Sequence, residues 1–132
     1  VSPTSLVLPL IVGVFVTLAS KMPVGRAQKE LPGGYDNQHP REQQARLEGW
    51  GRRALAAHNN AIEAFPLFGV AVVTCLATGV SGPVAAALAW SWVGARIGYN
   101  IAYLANIGTL RSSLWALGML ADLGLLGLAL LR

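Results

Sequence analysis

A run of about twenty residues with little or no charge leaves a chain few options. Its backbone polar groups find no partners in lipid, so they must be satisfied within the run, as a helix does. This chain has four such runs. The first is Leu6-Val7-Leu8-Pro9-Leu10-Ile11-Val12-Gly13-Val14-Phe15-Val16-Thr17-Leu18-Ala19, and three more follow Arg53. Hydrophobic residues make up 54% of the 132 positions and charged residues 12%, against about a quarter charged in soluble domains. The pattern predicts an all-α integral membrane protein, a four-transmembrane-helix bundle. The helices are expected at about 4–22, 53–78, 84–104 and 112–131, in a single domain over 1–132 with a loop at about 23–52.

The punctuation supports these limits. The first run lacks the basic leader of a secretory signal, so it reads as a span that tolerates Pro9. The segment from Lys21 to Trp50 holds Pro23, Pro32, Pro40 and Gly33-Gly34, and its first half reads as loop. Pro40 suits a first helical position, and Arg41-Glu42-Gln43-Gln44-Ala45-Arg46 continues in helix formers, predicting a short interfacial helix. Asp36-Asn37 fits a turn, and Trp50 between Gly49 and Gly51 fits a membrane interface. Pro66 predicts a kink in the second span. Gly79-Val80-Ser81-Gly82-Pro83 is a tight turn, the Ala-rich third span predicts close packing, and Ser112 or Ser113 is placed to cap the fourth.

Charge sets the expected orientation. Seven Lys/Arg residues (Lys21, Arg26, Lys29, Arg41, Arg46, Arg52 and Arg53) lie between the first and second spans, and none lies between the second and third. The positive-inside rule then puts the first and third connections in the cytoplasm and both termini outside. The net charge of +4 forms no basic stripe interleaved with aromatics, so nucleic acid is not an expected partner; the lipid bilayer is. Cys75 stands alone, and His39 and His58 have no ligand spacing to it, so no metal site is expected.

Two polar faces carry the chemistry. Offsets of seven and three bring Arg53, Asn60 and Glu63 toward one side of the second span. On the third span Arg96, Tyr99, Asn100 and Tyr103 share a face in the same way. Both sets lie two to three turns from the cytoplasmic end. At equal depth, Glu63 and Arg96 either neutralise each other as a packing pair or hold a zwitterionic, peptide-like ligand between them. Asp122 lies in the fourth span among glycines. Its alternatives are a pairing with Arg96, a contact with a neighbouring subunit, or a place near the far interface.

Two stretches resemble the signatures of the MAPEG family, the membrane-associated proteins in eicosanoid and glutathione metabolism. Asn60-Ala61-Ile62-Glu63-Ala64-Phe65-Pro66 is similar to its Asn-x-x-Glu-x-x-Pro pattern, and Arg96-Ile97-Gly98-Tyr99-Asn100-Ile101-Ala102-Tyr103 to its Arg-x-x-Tyr-x-x-x-Tyr pattern. The segment from Tyr35 to Glu48 looks like the bacterial branch, which implies a bacterial inner (cytoplasmic) membrane. The resemblance covers essentially the whole chain and implies a homotrimer of four-helix subunits with glutathione bound between subunits, near the cytoplasmic helix ends. It further implies glutathione contacts from Arg53, Asn60, Glu63, Arg96, Tyr99 and Tyr103, with Glu63 toward the γ-glutamyl amine. Arg111 would be the catalytic cation that activates the glutathione thiol. The chain departs from the glutathione-using members at Ala56, where a second arginine is usual, and at Ala64, where the leukotriene synthase branch has Tyr. Arg111 is also one residue out of that branch's register. Each missing contact is worth on the order of 1–3 kcal/mol.

These readings imply a glutathione-dependent transferase or peroxidase acting on lipophilic electrophiles, with glutathione as co-substrate. The alternative is a non-catalytic accessory subunit packed in a larger membrane complex, which Ala56 and Ala64 favour. A carrier or relay using Glu63, Arg96 and Asp122 is disfavoured, because no inverted repeat is visible.

Overall fold

Apolar runs coil to satisfy their own backbone, and the coils then pack through their smallest residues. The computed structural model describes residues 4–132, and within them the chain is helical throughout its ordered elements. α1 is Thr4–Ala19, α2 Lys21–Lys29, α3 Pro40–Gln44, α4 Gly49–Ala77, α5 Pro83–Leu104 and α6 Gly108–Leu130. Three helical stretches are long and apolar enough to cross a membrane: Thr4–Lys29, Gly49–Ala77 and Gly108–Leu130. The polar residues of α5 set it apart from these, yet it packs along α6, α1 and α4. A broad apolar surface faces outward, including Leu8, Ile11, Phe15, Val70, Ile101 and Leu120, as lipid contact requires.

The helix limits differ from the expected ones in three places. The first helix does not end at 22; after a turn at Ser20 it resumes as α2 and reaches Lys29. Pro23 falls in the first turn of α2, where a missing N–H costs nothing, so it does not open a loop. The second long helix begins at Gly49 rather than 53. Gly51 makes this possible: a Cβ there would lie 3.0 Å from that of Ala27, so its hydrogen lets α2 approach α4 closely. The fourth begins at Gly108, and the serines do not cap it; Ser113 instead donates to the Thr109 carbonyl at 2.9 Å. The expected first helical position of Pro40 and the Asp36 turn are both present, with Asp36 Oδ1 accepting from the Gln38 and His39 N–H groups.

Two turns of the same kind join the last three helices. After α4, Gly79 takes φ +74°, and the N–H of Val80 reaches back to the Cys75 carbonyl at 2.8 Å. After α5, Asn106 takes φ +62°, and the N–H of Ile107 reaches the Ala102 carbonyl at 2.9 Å. Both are Schellman closures, which need a residue that tolerates the left-handed region. They reverse the chain sharply and make α4, α5 and α6 successive antiparallel neighbours. Arg53, at the start of α4, donates to the Leu104 carbonyl at the end of α5. Residues 30–48 and the α5–α6 turn therefore lie at one end of the bundle, called the basic end below.

The core is small-residue packing around one aromatic stack. Phe68 and Trp92 lie parallel with centroids 4.0 Å apart, and Phe65 meets both edge-on. Gly13 of α1 closes on this group: a Cβ there would sit 3.2 Å from both Phe68 and Trp92. Buried Ala85, Ala89, Ala95 and Ala102 line α5, giving the close packing its alanines predict. At the basic end, buried Gln28 and Gln43 hold the loop. Gln28 Nε2 donates to the Pro40 carbonyl and Gln43 Oε1, and Gln43 Nε2 donates to the Gly34 carbonyl at 2.7 Å.

Two consequences can be measured. Gly13→Val pushes a branched side chain into the Phe68–Trp92 stack and should destabilise the bundle by about 1–3 kcal/mol in detergent unfolding. Gln43→Ala leaves buried loop groups unpaired; limited proteolysis should cut residues 31–48 about tenfold faster while the long helices stay intact.

Candidate functional site

The deepest cation organises the site. Arg96 sits on α5 and is 4% exposed. Its Nη1 donates to Asn60 Oδ1 of α4 at 2.7 Å, and its guanidinium carbon lies 3.9 Å from the centre of the Tyr99 ring. A buried cation is costly unless paired. Here an amide oxygen and an aromatic face supply the compensation, the latter worth about 2 kcal/mol where water is excluded. The expected equal depth of the two polar faces is therefore present, but the contact falls on Asn60 rather than Glu63.

From Arg96 the polar groups continue toward the basic end. The Tyr99 and Tyr103 rings meet edge-to-face with centroids 5.7 Å apart, and the Arg111 guanidinium covers the Tyr103 ring at 4.6 Å. Spacings of three and four along α5 make this ladder, and the tight Asn106 turn returns α6 so that Arg111 comes back over Tyr103. Arg53, Tyr103, Asn106 and Arg111 then line a pocket of about 120 Å³ with Ala102, Ile107 and Gly108. Two guanidinium groups border it and no carboxylate does. Arg53 Nε is buried without a protein partner. The pocket is electropositive and furnished with donors, so it suits an anionic group.

Glu63 lies elsewhere. It is exposed, and with Lys21, Arg41, Gln44, His58, Asn59 and Ile62 it lines an open cleft of about 370 Å³. The expected common face of Arg53, Asn60 and Glu63 is corrected by the helix period. Ten residues separate Arg53 from Glu63, which turns the side chain about 80° at 3.6 residues per turn. Arg53 and Asn60 point to α5, and Glu63 points past it. Glu63 and Arg96 form no ion pair; among the described residues the ion pair within 4.0 Å is Arg26–Glu30 on the surface. On the other side of the same cleft, Ser20 Oγ and His58 Nδ1 meet at 2.8 Å and tie the α1–α2 break to α4.

The structure thus brings Arg53, Asn60, Arg96, Tyr99, Tyr103 and Arg111 into one continuous polar track and sets Glu63 apart. Lys21, Arg41 and Gln44 stand beside Glu63 although they are distant from it in sequence, because α2 packs on both α3 and α4. Asn106 was legible only as part of a short connection. An Asn two residues past a helix end and two before a glycine is the signal that marks it. Asn100 lies half-buried on α5 with its Oδ1 unpaired among protein groups. Among the described residues no three His, Cys, Asp or Glu side chains gather as metal ligands.

Asn60 is the protein's contact to the buried end of this track. Asn60→Leu should cost about 1–3 kcal/mol, because Arg96 loses its hydrogen-bond acceptor while staying buried. The check is thermal unfolding in detergent, with the Arg96→Met/Asn60→Leu double variant recovering part of the loss.

No curated protein and no solved structure matches the chain. A sequence model of the MAPEG family matches residues 4–131, from the first turn of α1 to the end of α6. With nearly its whole length matched, the chain is a membrane protein of the MAPEG family.

Proposed function

We propose that this protein is a glutathione-dependent transferase or peroxidase for lipophilic electrophiles. The observation that carries the reading is the acid-free pocket in which Arg53 and Arg111 converge beside Tyr103. Its volume of about 120 Å³ takes a thiolate or one carboxylate, not a tripeptide, since whole-ligand pockets run to about 300 Å³ or more. The remainder of glutathione then lies along the protein surface. Glu63, exposed in its own cleft, takes the γ-glutamyl ammonium. Because that cleft and the pocket open on different sides of one chain, the full contact set forms between two subunits of a homotrimer. Asn60, Arg96 and Tyr99 hold the wall between them.

The chemistry follows from the charge. Arg111, stacked on Tyr103, lowers the thiol pKa, and the proton leaves to water. In transfer, the thiolate sulfur attacks an electrophilic carbon; a C–S bond forms and the leaving group departs with the bonding electrons. In peroxide reduction, the sulfur attacks the distal oxygen and the O–O bond breaks, releasing an alcohol. A second glutathione thiol then reduces the sulfenic acid to water and a disulfide. Lipophilic substrates arrive through the bilayer. The basic end lies in the cytoplasm of a bacterial inner membrane, where glutathione is available, with both termini outside.

Ala56 and Ala64 support a second reading, an accessory subunit that packs in a larger membrane complex. Ala64 packs at the edge of the aromatic core and offers no hydroxyl to a ligand. Calorimetric titration with glutathione, read together with oligomeric mass in detergent, separates the two. The enzyme reading expects saturable binding to a homogeneous trimer. Glu63→Gln should weaken that binding about tenfold, and Arg111→Ala should slow conjugation of a small aryl halide at least as much. Unchanged affinity and rate in both variants would reject it, and copurification with other membrane chains at fixed stoichiometry would favour the accessory subunit.

A further inference from the structure

Arg96 faces Asn60 and Tyr99 on one side. Its other side faces a narrow chamber between α5 and α6 of about 20 Å³, bordered by Ala64, Trp92, Tyr99, Trp115, Gly118 and Asp122. Asp122 is also 4% exposed. Three polar atoms of the two charged residues have no protein partner: Arg96 Nε, Arg96 Nη2 and Asp122 Oδ1. No ion pair within 4.0 Å joins them. An acid and a base thus border one narrow chamber without touching.

Such a space is unfavourable dry. Each buried polar atom left unpaired costs about 1–3 kcal/mol, and more when it is charged. A chamber of 20 Å³ exceeds the roughly 10–15 Å³ that one water needs, and a buried water typically takes two to four hydrogen bonds. Here N–H donors stand on the α5 side and a carboxylate acceptor on the α6 side. An apolar cavity of this size would stay empty; this one is bordered by unpaired donors and an unpaired acceptor.

We infer that the chamber is a binding site for an ordered water that accepts from Arg96 and donates to Asp122, and that Asp122 is thereby a positioning residue for the Arg96 guanidinium. Arg96 is then held on all sides, by Asn60 at Nη1, by the Tyr99 ring on its face and by the water at Nε and Nη2. The acceptor beyond that water comes from α6. Glu63 consequently stays without an internal partner and faces outward. The inference holds with or without glutathione, so its failure and the failure of the enzyme reading are separate results.

The test uses the full chain in lipid nanodiscs with ¹⁵N-labelled arginine. The Arg96 Nε–Hε signal is assigned by its loss in Arg96→Lys. The wild type should show a cross-peak from Hε to a long-lived water and slow exchange of Hε with solvent. Asp122→Asn keeps an acceptor oxygen and should preserve both. Asp122→Leu removes it, and Hε exchange should rise about tenfold.

Should Asp122→Leu fail to fold, Gly118→Ala decides. Its added Cβ would lie 3.5 Å from the Trp92 ring, an ordinary contact, so the fold is kept while the chamber loses the space for water. Hε exchange should again rise about tenfold at an unchanged thermal midpoint, which a purely structural role for Asp122 does not predict. Absence of the water cross-peak in the wild type, or wild-type exchange in Asp122→Leu and Gly118→Ala, overturns the inference.

Discussion

A guanidinium buried among apolar helices has to be compensated on the spot, and Arg96 is where this protein does it. The Asn60 amide oxygen at 2.7 Å and the Tyr99 ring at 3.9 Å bind α4 and α5 at one depth. Because a mispaired cation in this position costs more than most packing errors, this contact fixes the relative height of the two helices. The apolar contacts around it are permissive by comparison. Phe68 and Trp92 stack tightly, but small residues such as Ala89 and Gly118 would tolerate several registers. The polar contact selects one.

Once that height is set, the remaining polar residues sort themselves by helical angle. Arg53 and Asn60 turn to α5, and Tyr99, Tyr103 and Arg111 stack in sequence toward the basic end. Glu63 turns away and meets Lys21, Arg41 and His58 across an open cleft. The chain therefore presents a pocket bordered by guanidinium groups alone in one place and a carboxylate-bearing cleft in another. This division accords with a ligand that carries both charges and lies between neighbouring copies, which is the arrangement proposed for glutathione.

The ends of the helices matter as much as their middles. Asn106 adopts a left-handed conformation that most side chains resist, and in doing so it shortens the α5–α6 connection until Arg111 returns over Tyr103. At the same end, Gln28 and Gln43 replace water for the backbone of residues 34–40. The loop that a run of prolines and glycines suggests is consequently an ordered cover on α2, held by amide side chains.

Much of this was legible in the chain itself. Uncharged runs fix helices because lipid offers the backbone no alternative, and the spacing of Asn60 and Glu63, and of Arg96, Tyr99 and Tyr103, marks the polar faces and the family. Helix limits were less legible. Pro23 and Gly51 look like breakers in isolation, yet a first-turn proline is harmless and a glycine opposite Ala27 draws helices together. The hydrogen-bond partner of Arg96 was not legible, although Asp122 stood among its candidate neighbours. Glu63 is the obvious counter-charge in one dimension, but on α4 it points past α5 into an open cleft, and the structure gives Arg96 to Asn60 and the chamber it shares with Asp122. Period and composition are properties of the sequence, whereas which of several polar groups meets a buried cation depends on the angle and height at which separate helices pack.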